Sequence, residues 1–222
     1  ASLPNGGQNA LGTNWDAGDI MYKDLNGDGK IDNGGNKYDD MGDMKKIGNN
    51  TPRYLFGLDL NADYKGFDFR AFFQGVMKRD YWQGSAYFWG ATSLWHSTGF
   101  VEHADYFRAE ASNDLPANLN AYYPRPVFDS SKNRQKQTAY LQSAAYIRLK
   151  NVQLGYTLPA NLTHKFYVSK LRVFVSGENL WTGTSLANMF DPETIGGGDD
   201  TDKNGNAYPL SKTISFGISV TL

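Results

Sequence analysis

The sequence predicts an all-β protein whose antiparallel strands form part of a transmembrane β-barrel, with a soluble β-sandwich as the alternative. Three observations carry this. Five segments alternate apolar and polar residues with period two, the mark of a strand with two unlike faces. The connections between them run short, long, short, long. Composition agrees: the 222 residues include 24 Gly, 14 Tyr, 13 Phe and 5 Trp and no Cys, a mix that suits strands and long loops better than helices.

Residues 1–52 read as a polar loop region rich in Gly, Asn and Asp, with one short apolar patch at Ile20–Tyr22. Residues 53–222 read as one structural unit of strands and loops. The first strand is RYLFGLDLNADY. Tyr54, Phe56, Leu58, Leu60, Ala62 and Tyr64 share one face, and Leu55, Gly57, Asp59, Asn61 and Asp63 the other. Lys65-Gly66 is a tight-turn signal. Next, FDFRAFFQG sets Phe67, Phe69, Ala71 and Phe73 opposite Asp68, Arg70 and Gln74, which makes a hairpin with a very short connection. From Met77 to about Thr138 the alternation dissolves into a long segment containing YWQGSAYFWGATSLWH and NAYYPRPVF. It returns in YIRLKNVQLGYTLP, where Val152, Leu154, Tyr156 and Leu158 are apolar. The phase shift between Leu149 and Val152 predicts a bulge, and Pro159 ends the strand. KLRVFVSGENLW follows a short connector, with Leu171, Val173 and Val175 on one face. After a second long loop, KTISFGISVTL alternates Ile214, Phe216, Ile218, Val220 and Leu222 with Thr213, Ser215, Gly217, Ser219 and Thr221.

The non-apolar face of these strands is small or polar. In an outer-membrane barrel the apolar face meets lipid, the polar face lines the lumen, and short periplasmic turns alternate with long external loops. Tyr54, Tyr64 and Tyr156 would sit in the interfacial girdles. No stretch qualifies as a transmembrane helix: the longest run without formal charge, 81–101, is full of Gly, Ser, Thr and Gln. A net charge of -1 gives no basic field for nucleic acid. The absence of Cys excludes a disulfide framework, a thiol nucleophile and a Cys-type zinc site. Residues 1–11 have neither the basic start nor the apolar centre of a signal peptide. Either a presequence has been removed or the chain begins within something larger.

Two stretches carry candidate site residues. KDLNGDGKID matches the opening of a calcium loop, D-x-[DN]-x-[DN]-G, at Asp24, Asn26, Asp28 and Gly29. The metal reading has calcium held by Asp24, Asn26, Asp28, the Lys30 carbonyl and Asp32; the alternative is an Asn/Gly/Asp turn without metal. Asp32 takes the ninth loop position and Ile31 the eighth. The twelfth, where a bidentate glutamate would stand, is Gly35, which lowers the expected affinity; Asp39, Asp40 or Asp43 can fold back to substitute. No flanking helices suggest a switch, so the expected role is a staple suited to the millimolar calcium outside a cell. In the aromatic loop, Trp82, Tyr87, Trp89 and Trp95 can stack on a sugar ring or anchor a partner, or they can pack on each other to hold a long loop together. An enzyme is not expected. Asp105, Glu110, Glu178 and Glu193 offer carboxylate pairs for glycoside hydrolysis, but 23 acids give such pairs by chance. His96, His103 and His164 form no metal-binding pair, and no G-x-S-x-G or P-loop occurs.

The stretches GDIMYKDLNGDGKIDNGG, TPRYLFGLDLNADYKGFDF, YIRLKNVQLGYTLP, LRVFVSGENLW, FDPE and ISFGISVTL, in this order and spacing, resemble the C-terminal portion of SusC-like (SusC/RagA-type) TonB-dependent outer-membrane transporters of Bacteroidota. The resemblance runs from about Gly18 to Leu222. It implies a barrel of about 22 strands with an N-terminal plug, uptake of glycans or other oligomeric nutrients, oligosaccharide or peptide cargo, and a SusD-like surface lipoprotein, TonB and outer-membrane lipid as partners. It also implies outer-membrane localisation, with external loops at 19–43, 77–138 and 182–210. The chain departs from the family in having no plug and in ending at Leu222, where an aromatic residue is usual. About five strands do not close a barrel. Either other residues supply the rest, or the piece packs differently. The competing reading is a soluble, calcium-stapled, carbohydrate-binding β module, at the cell surface or secreted.

Overall fold

The computed structural model describes residues 7–90, 99–112, 114–196 and 207–222. They form two compact units: one of 7–48 and 82–141, the other of 49–81, 142–196 and 207–222.

The second unit is one antiparallel sheet of five strands: β1 (Arg53–Tyr64), β2 (Phe67–Lys78), β5 (Tyr146–Thr157), β6 (Lys170–Thr184) and β7 (Thr213–Thr221), in the order β1-β2-β5-β6-β7. A separate two-stranded ribbon pairs β3 (Asp80–Trp82) with β4 (Leu141–Ser143). Each strand of the large sheet coincides with an alternating segment of the sequence. Lys65 (φ 47°) and Gly66 (φ 88°) both take positive φ, the two-residue hairpin turn whose twist matches that of its strands.

Directly paired residues of antiparallel neighbours share a face. One row across all five strands is Tyr64, Phe67, Tyr156, Val173 and Ile218. The next is Ala62, Phe69, Leu154, Val175 and Phe216, and a third is Leu60, Ala71, Val152, Gly177 and Ile214. The apolar residues of different strands therefore meet on one surface, and that surface is open: Phe216 is 84% exposed and Ile218 70%. The other face carries the row Asn61, Arg70, Gln153, Ser176 and Ser215. Ion pairs tie it across strands, Arg70 to Asp59 at 2.6 Å and Arg172 to Asp68. There the Phe174 ring lies against Gly217, leaving no room for a Cβ.

The predicted bulge is present. In β5 the register passes from Leu149, opposite Phe73 and Trp181, to Asn151, opposite Phe72 and Glu178, and skips Lys150. The extra residue keeps Leu149 and Val152 on the same face although they are three apart, which period two alone forbids.

Both short connections lie at one end of the sheet, the turn at Lys65-Gly66 and the β5–β6 connector, which contains one helical turn, α2 (Ala160–Thr163). Every long segment joins the sheet at the other end. β1 and β7 are each paired on one side only. Among the described residues, no helix is long and apolar enough to cross a membrane.

The first unit has little regular structure. Isolated backbone bridges such as Tyr106–Tyr123 and Arg108–Asn118 hold it, together with side-chain hydrogen bonds. The buried Gln8 amide donates to the Ile20 carbonyl (2.6 Å) and accepts the Tyr22 N–H (2.9 Å), so the Ile20–Tyr22 patch is clasped along its length. A single helical turn, α1 (Ala86–Trp89), is closed by Gly90 at φ 71°. It inserts Phe88, fully buried, as the centre of the unit's apolar packing.

Candidate functional site

In the loop at 24–43 every predicted ligand side chain accepts backbone N–H groups. Asp24 takes those of Gly27 (2.6 Å) and Gly29 (2.9 Å); Asn26 takes Asp28 (3.0 Å); Asp28 takes Lys30 (2.8 Å); Asp32 takes Gly34 (2.7 Å). Gly27 and Gly29, at φ 80° and 81°, supply the turns. Two later carboxylates fold back: Asp43 accepts the N–H of Leu25 (2.6 Å) and of Asp32 (2.9 Å), and Asp40 accepts that of Gly35 (2.8 Å). Lys30 is exposed. Each carboxylate oxygen has two acceptor sites, so these bonds leave capacity for a hard cation. The loop also closes without one. Among the described residues, no three acidic, histidine or cysteine side chains gather as a metal-holding group.

The aromatic residues divide by position. Trp82 is buried, with its ring centroid 5.8 Å from that of Trp89. Trp89 donates its indole N–H to the Gln83 carbonyl (2.6 Å) and meets Tyr140 edge-on at 4.9 Å. Tyr87 is 44% exposed and lies 5.9 Å from Phe100. Trp95 and His96 lie outside the described residues. Phe88 joins these rings to Tyr123 (5.4 Å) and Tyr140 (6.3 Å) in edge-to-face contacts, the favoured geometry of aromatic pairs.

Beside this cluster is a cavity of about 410 Å³, walled by Trp89, Phe100, His103, Tyr106 and Tyr123 and by the segment Pro124–Val127 with Asn133 and Arg134. His103 is fixed at both nitrogens: Nδ1 accepts the Phe100 N–H (3.0 Å), which leaves Nε2 to donate to the Phe88 carbonyl (2.9 Å). Burial above all, with Tyr122 and Glu102 nearby, raises the Tyr123 phenol far above its ordinary value and keeps it neutral.

The wall carrying Arg125 rests on a buried ion cluster. Asp19, 3% exposed, accepts from Arg125 (2.7 Å), Lys132 (2.8 Å) and Asn133 (2.8 Å). Burial pushes its carboxyl up, but these three donors and the Asp16 N–H outweigh that and lower it to about 2. The Lys132 ammonium also faces the Trp15 ring at 4.9 Å. In the second unit the FDPE stretch does similar work. Buried Arg148 grips Asp191 and Glu193, both at 2.7 Å, and Lys150 of the bulge reaches Glu193 at 2.9 Å. Burial opposes ionisation of Asp191, yet the Glu193 N–H and Arg148 hold its carboxyl below the usual value. NAYYPRPVF, within the long segment, and FDPE, one of the resembling stretches, have no period from which their roles follow. Asp19 lies in the GDIMYKDLNGDGKIDNGG stretch and Arg125 in NAYYPRPVF, but neither stretch, nor the surroundings of His103 and Lys132, marks them as partners.

A sheet that is apolar and exposed on one face and polar on the other, with short turns at one end and long segments at the other, defines a piece of an outer-membrane-type barrel. Comparison with known proteins agrees. The TonB-dependent receptors P3 and P26 of Formosa agariphila are each 28% identical to the chain over 212 and 217 residues, covering 92% of it. The chain spans about a fifth of their length (19% and 20%). No protein-family model matches. Among solved structures, the RagAB peptide importer in its open-open state is 27% identical, with a TM-score of 0.54 over 78% of this chain and 17% of that one. Its closed-closed state, 24% identical with a TM-score of 0.56 over 80% of this chain and 18% of that one, shows the same fold. The chain thus resembles a barrel segment of SusC-like TonB-dependent transporters, as its motifs imply. These relatives are receptors and importers, not enzymes, in agreement with the missing catalytic motif.

Proposed function

We propose that the chain is a barrel segment of an outer-membrane, TonB-dependent importer of oligomeric nutrients, glycan or peptide, that works with a SusD-like surface lipoprotein. The open apolar face carries this reading. Rows made mostly of Phe, Leu, Ile, Val and Tyr run across all five strands, and such a face is stable only against lipid or another apolar layer. The ion-paired face then belongs to the lumen. The free edges of β1 and β7 pair with further strands, since five strands cannot close a barrel and unpaired edges invite aggregation. The names of the relatives support TonB as the energy source, and the paired RagAB assembly supports a surface partner. The test is fractionation of the intact protein with uptake of labelled oligosaccharides and peptides, with and without TonB. Recovery in the soluble fraction without detergent would replace this reading with the carbohydrate-binding module.

Calcium at Asp24, Asn26, Asp28, the Lys30 carbonyl and Asp32 belongs to the same proposal, as a staple on an external loop. Its support is the alternating spacing and the return of Asp43 to the loop. Binding to the folded state alone raises stability by mass action. Thermal unfolding should therefore shift upward from chelator to millimolar calcium in the wild type and not in Asp28→Ala. Equal midpoints for the wild type in both conditions would reduce the loop to a polar turn.

A further inference from the structure

The apolar face ends, on the side of the short connections, in a band of rings. Tyr64, Phe67 and Tyr156 share its last full row, and Leu171 pairs with Val220 just past it. The Phe67 and Tyr156 ring centres lie 4.5 Å apart across β2 and β5. The Gly66 carbonyl accepts the Thr157 N–H at 2.7 Å, which joins the Lys65-Gly66 turn to the start of the β5–β6 connector. That connector exposes Leu162, Phe166 and Tyr167, the last of them 93%. Tyr167 is left-handed at φ 60°, a costly conformation for a bulky residue. Its N–H closes the turn on the His164 carbonyl at 3.2 Å. A fixed turn that holds two aromatic rings in the open, past the last apolar rows, suits the boundary between bilayer and water, where such rings gather.

The same end carries free cations. The Lys65 ammonium stands 5.2 Å from the centre of the Tyr64 ring, over a residue of the apolar face, and a ring contact leaves its N–H groups available to an acceptor. Lys165 is exposed in the connector, beside exposed His164. Among the described residues neither lysine enters an ion pair. The nearby carboxylates belong to the other face: Asp63 stands opposite Asp68, and Asp68 is taken by Arg172. The acidic β6–β7 loop joins the sheet at the other end, where Arg79 holds the Gly196 carbonyl at 3.0 Å. The chain end at Leu222 lies beyond β7, three strands from the Lys65 turn.

We propose that this end of the sheet is a docking surface for an acidic phospholipid, with the acyl chains on the row of Tyr64, Phe67 and Tyr156 and the phosphate at Lys65 and Lys165. Apolar rows alone accept any lipid. Two ammonium groups without a carboxylate partner favour a headgroup of net negative charge over a zwitterionic one, whose own cation they repel. The docking surface rests on the importer reading and gives the lipid side of that barrel a headgroup preference at one leaflet.

The test uses the intact protein with Asn161→Cys in the connector, labelled with bimane, in phosphatidylcholine vesicles. The quencher is brominated phosphatidylglycerol or brominated phosphatidylcholine. The phosphatidylglycerol should quench with about fivefold higher apparent affinity, the effect of one lysine near a lipid surface. Lys65→Gln with Lys165→Gln should bring that ratio close to one. Quenching by brominated phosphatidylcholine should persist in this variant, which shows that it is still folded and embedded. Phe166→Ala with Tyr167→Ala should weaken quenching by both lipids. Millimolar inorganic phosphate should leave the preference in place. The docking surface is overturned by equal quenching in the wild type, by an unaltered ratio in the double lysine variant, by no quenching of embedded protein, or by loss of the preference to inorganic phosphate. Each of these leaves the importer standing if the protein is recovered with the outer membrane and supports uptake. Recovery in the soluble fraction without uptake would sink the importer reading itself.

Discussion

At the scale of single residues, the first unit depends on charges placed where water does not reach. Lys132 is 2% exposed and Asp19 3%, and each is satisfied by the other and by carbonyl or amide partners. Removing one member leaves the other buried without compensation, which costs ~3–5 kcal/mol. Asp19→Asn should therefore loosen the wall of the cavity, seen as faster hydrogen exchange at residues 130–137, while exposed Glu110→Gln should not. Unchanged exchange in Asp19→Asn would show that the cluster is not the anchor. The same carboxyl sets a pH dependence. Its folded value, about 2, lies below the ordinary 3.8, so the unfolded chain binds the proton more readily. The stabilisation, ~2 kcal/mol, is complete above about pH 4 and lost as pH falls through 2. Exchange at these residues in Asp19→Asn should lack that acid step.

At the scale of the strand, face decides tolerance. Leu154 lies on the central strand β5 in the apolar row with Phe69 and Val175. Asn61 stands on the opposite face, in the row of Arg70 and Gln153. In a bilayer, Leu154→Arg should cost ~2–4 kcal/mol and Asn61→Arg well under half of that, measured by denaturant unfolding of protein refolded into vesicles. Equal costs would assign the faces wrongly. The β1–β2 turn is a second element-level test. Gly66 has φ 88°, and a Cβ there would stand 2.8 Å from the Thr157 carbonyl. Gly66→Val should cost at least ~1–2 kcal/mol from the left-handed conformation alone, with the loss confined to the hairpin and its β5 neighbour.

At the scale of the whole molecule, the sheet has two unlike ends, and under the proposed importer reading they predict a membrane topology. The chain has no Cys, so a single introduced thiol reports its own position. Cysteine at the exposed Glu102, in the long segment, should react with an impermeant label on intact cells. Cysteine at Lys65, in the short turn, should react only after the outer membrane is opened. Labelling at Lys65 but not at Glu102 would invert the orientation.

What the sequence determined by itself is the sheet. Alternation in RYLFGLDLNADY and KTISFGISVTL, the Lys65-Gly66 turn and the slip of phase between Leu149 and Val152 are all local. Side-chain period, turn conformation and bulge each act over a few residues, so spacing alone reveals them. Tertiary structure decided the rest. Asp19 meets Lys132 across 113 positions, Asp43 returns to the loop of Asp24 and Asp32, and Trp82 turns inward while Tyr87 stays exposed. Arg125, Tyr123 and His103 come to wall one cavity although no motif joins them. Such contacts arise between irregular segments that have no repeating period. Their partners are chosen by burial and by the need of every buried charge and amide for a counterpart, a constraint that only the folded chain can express.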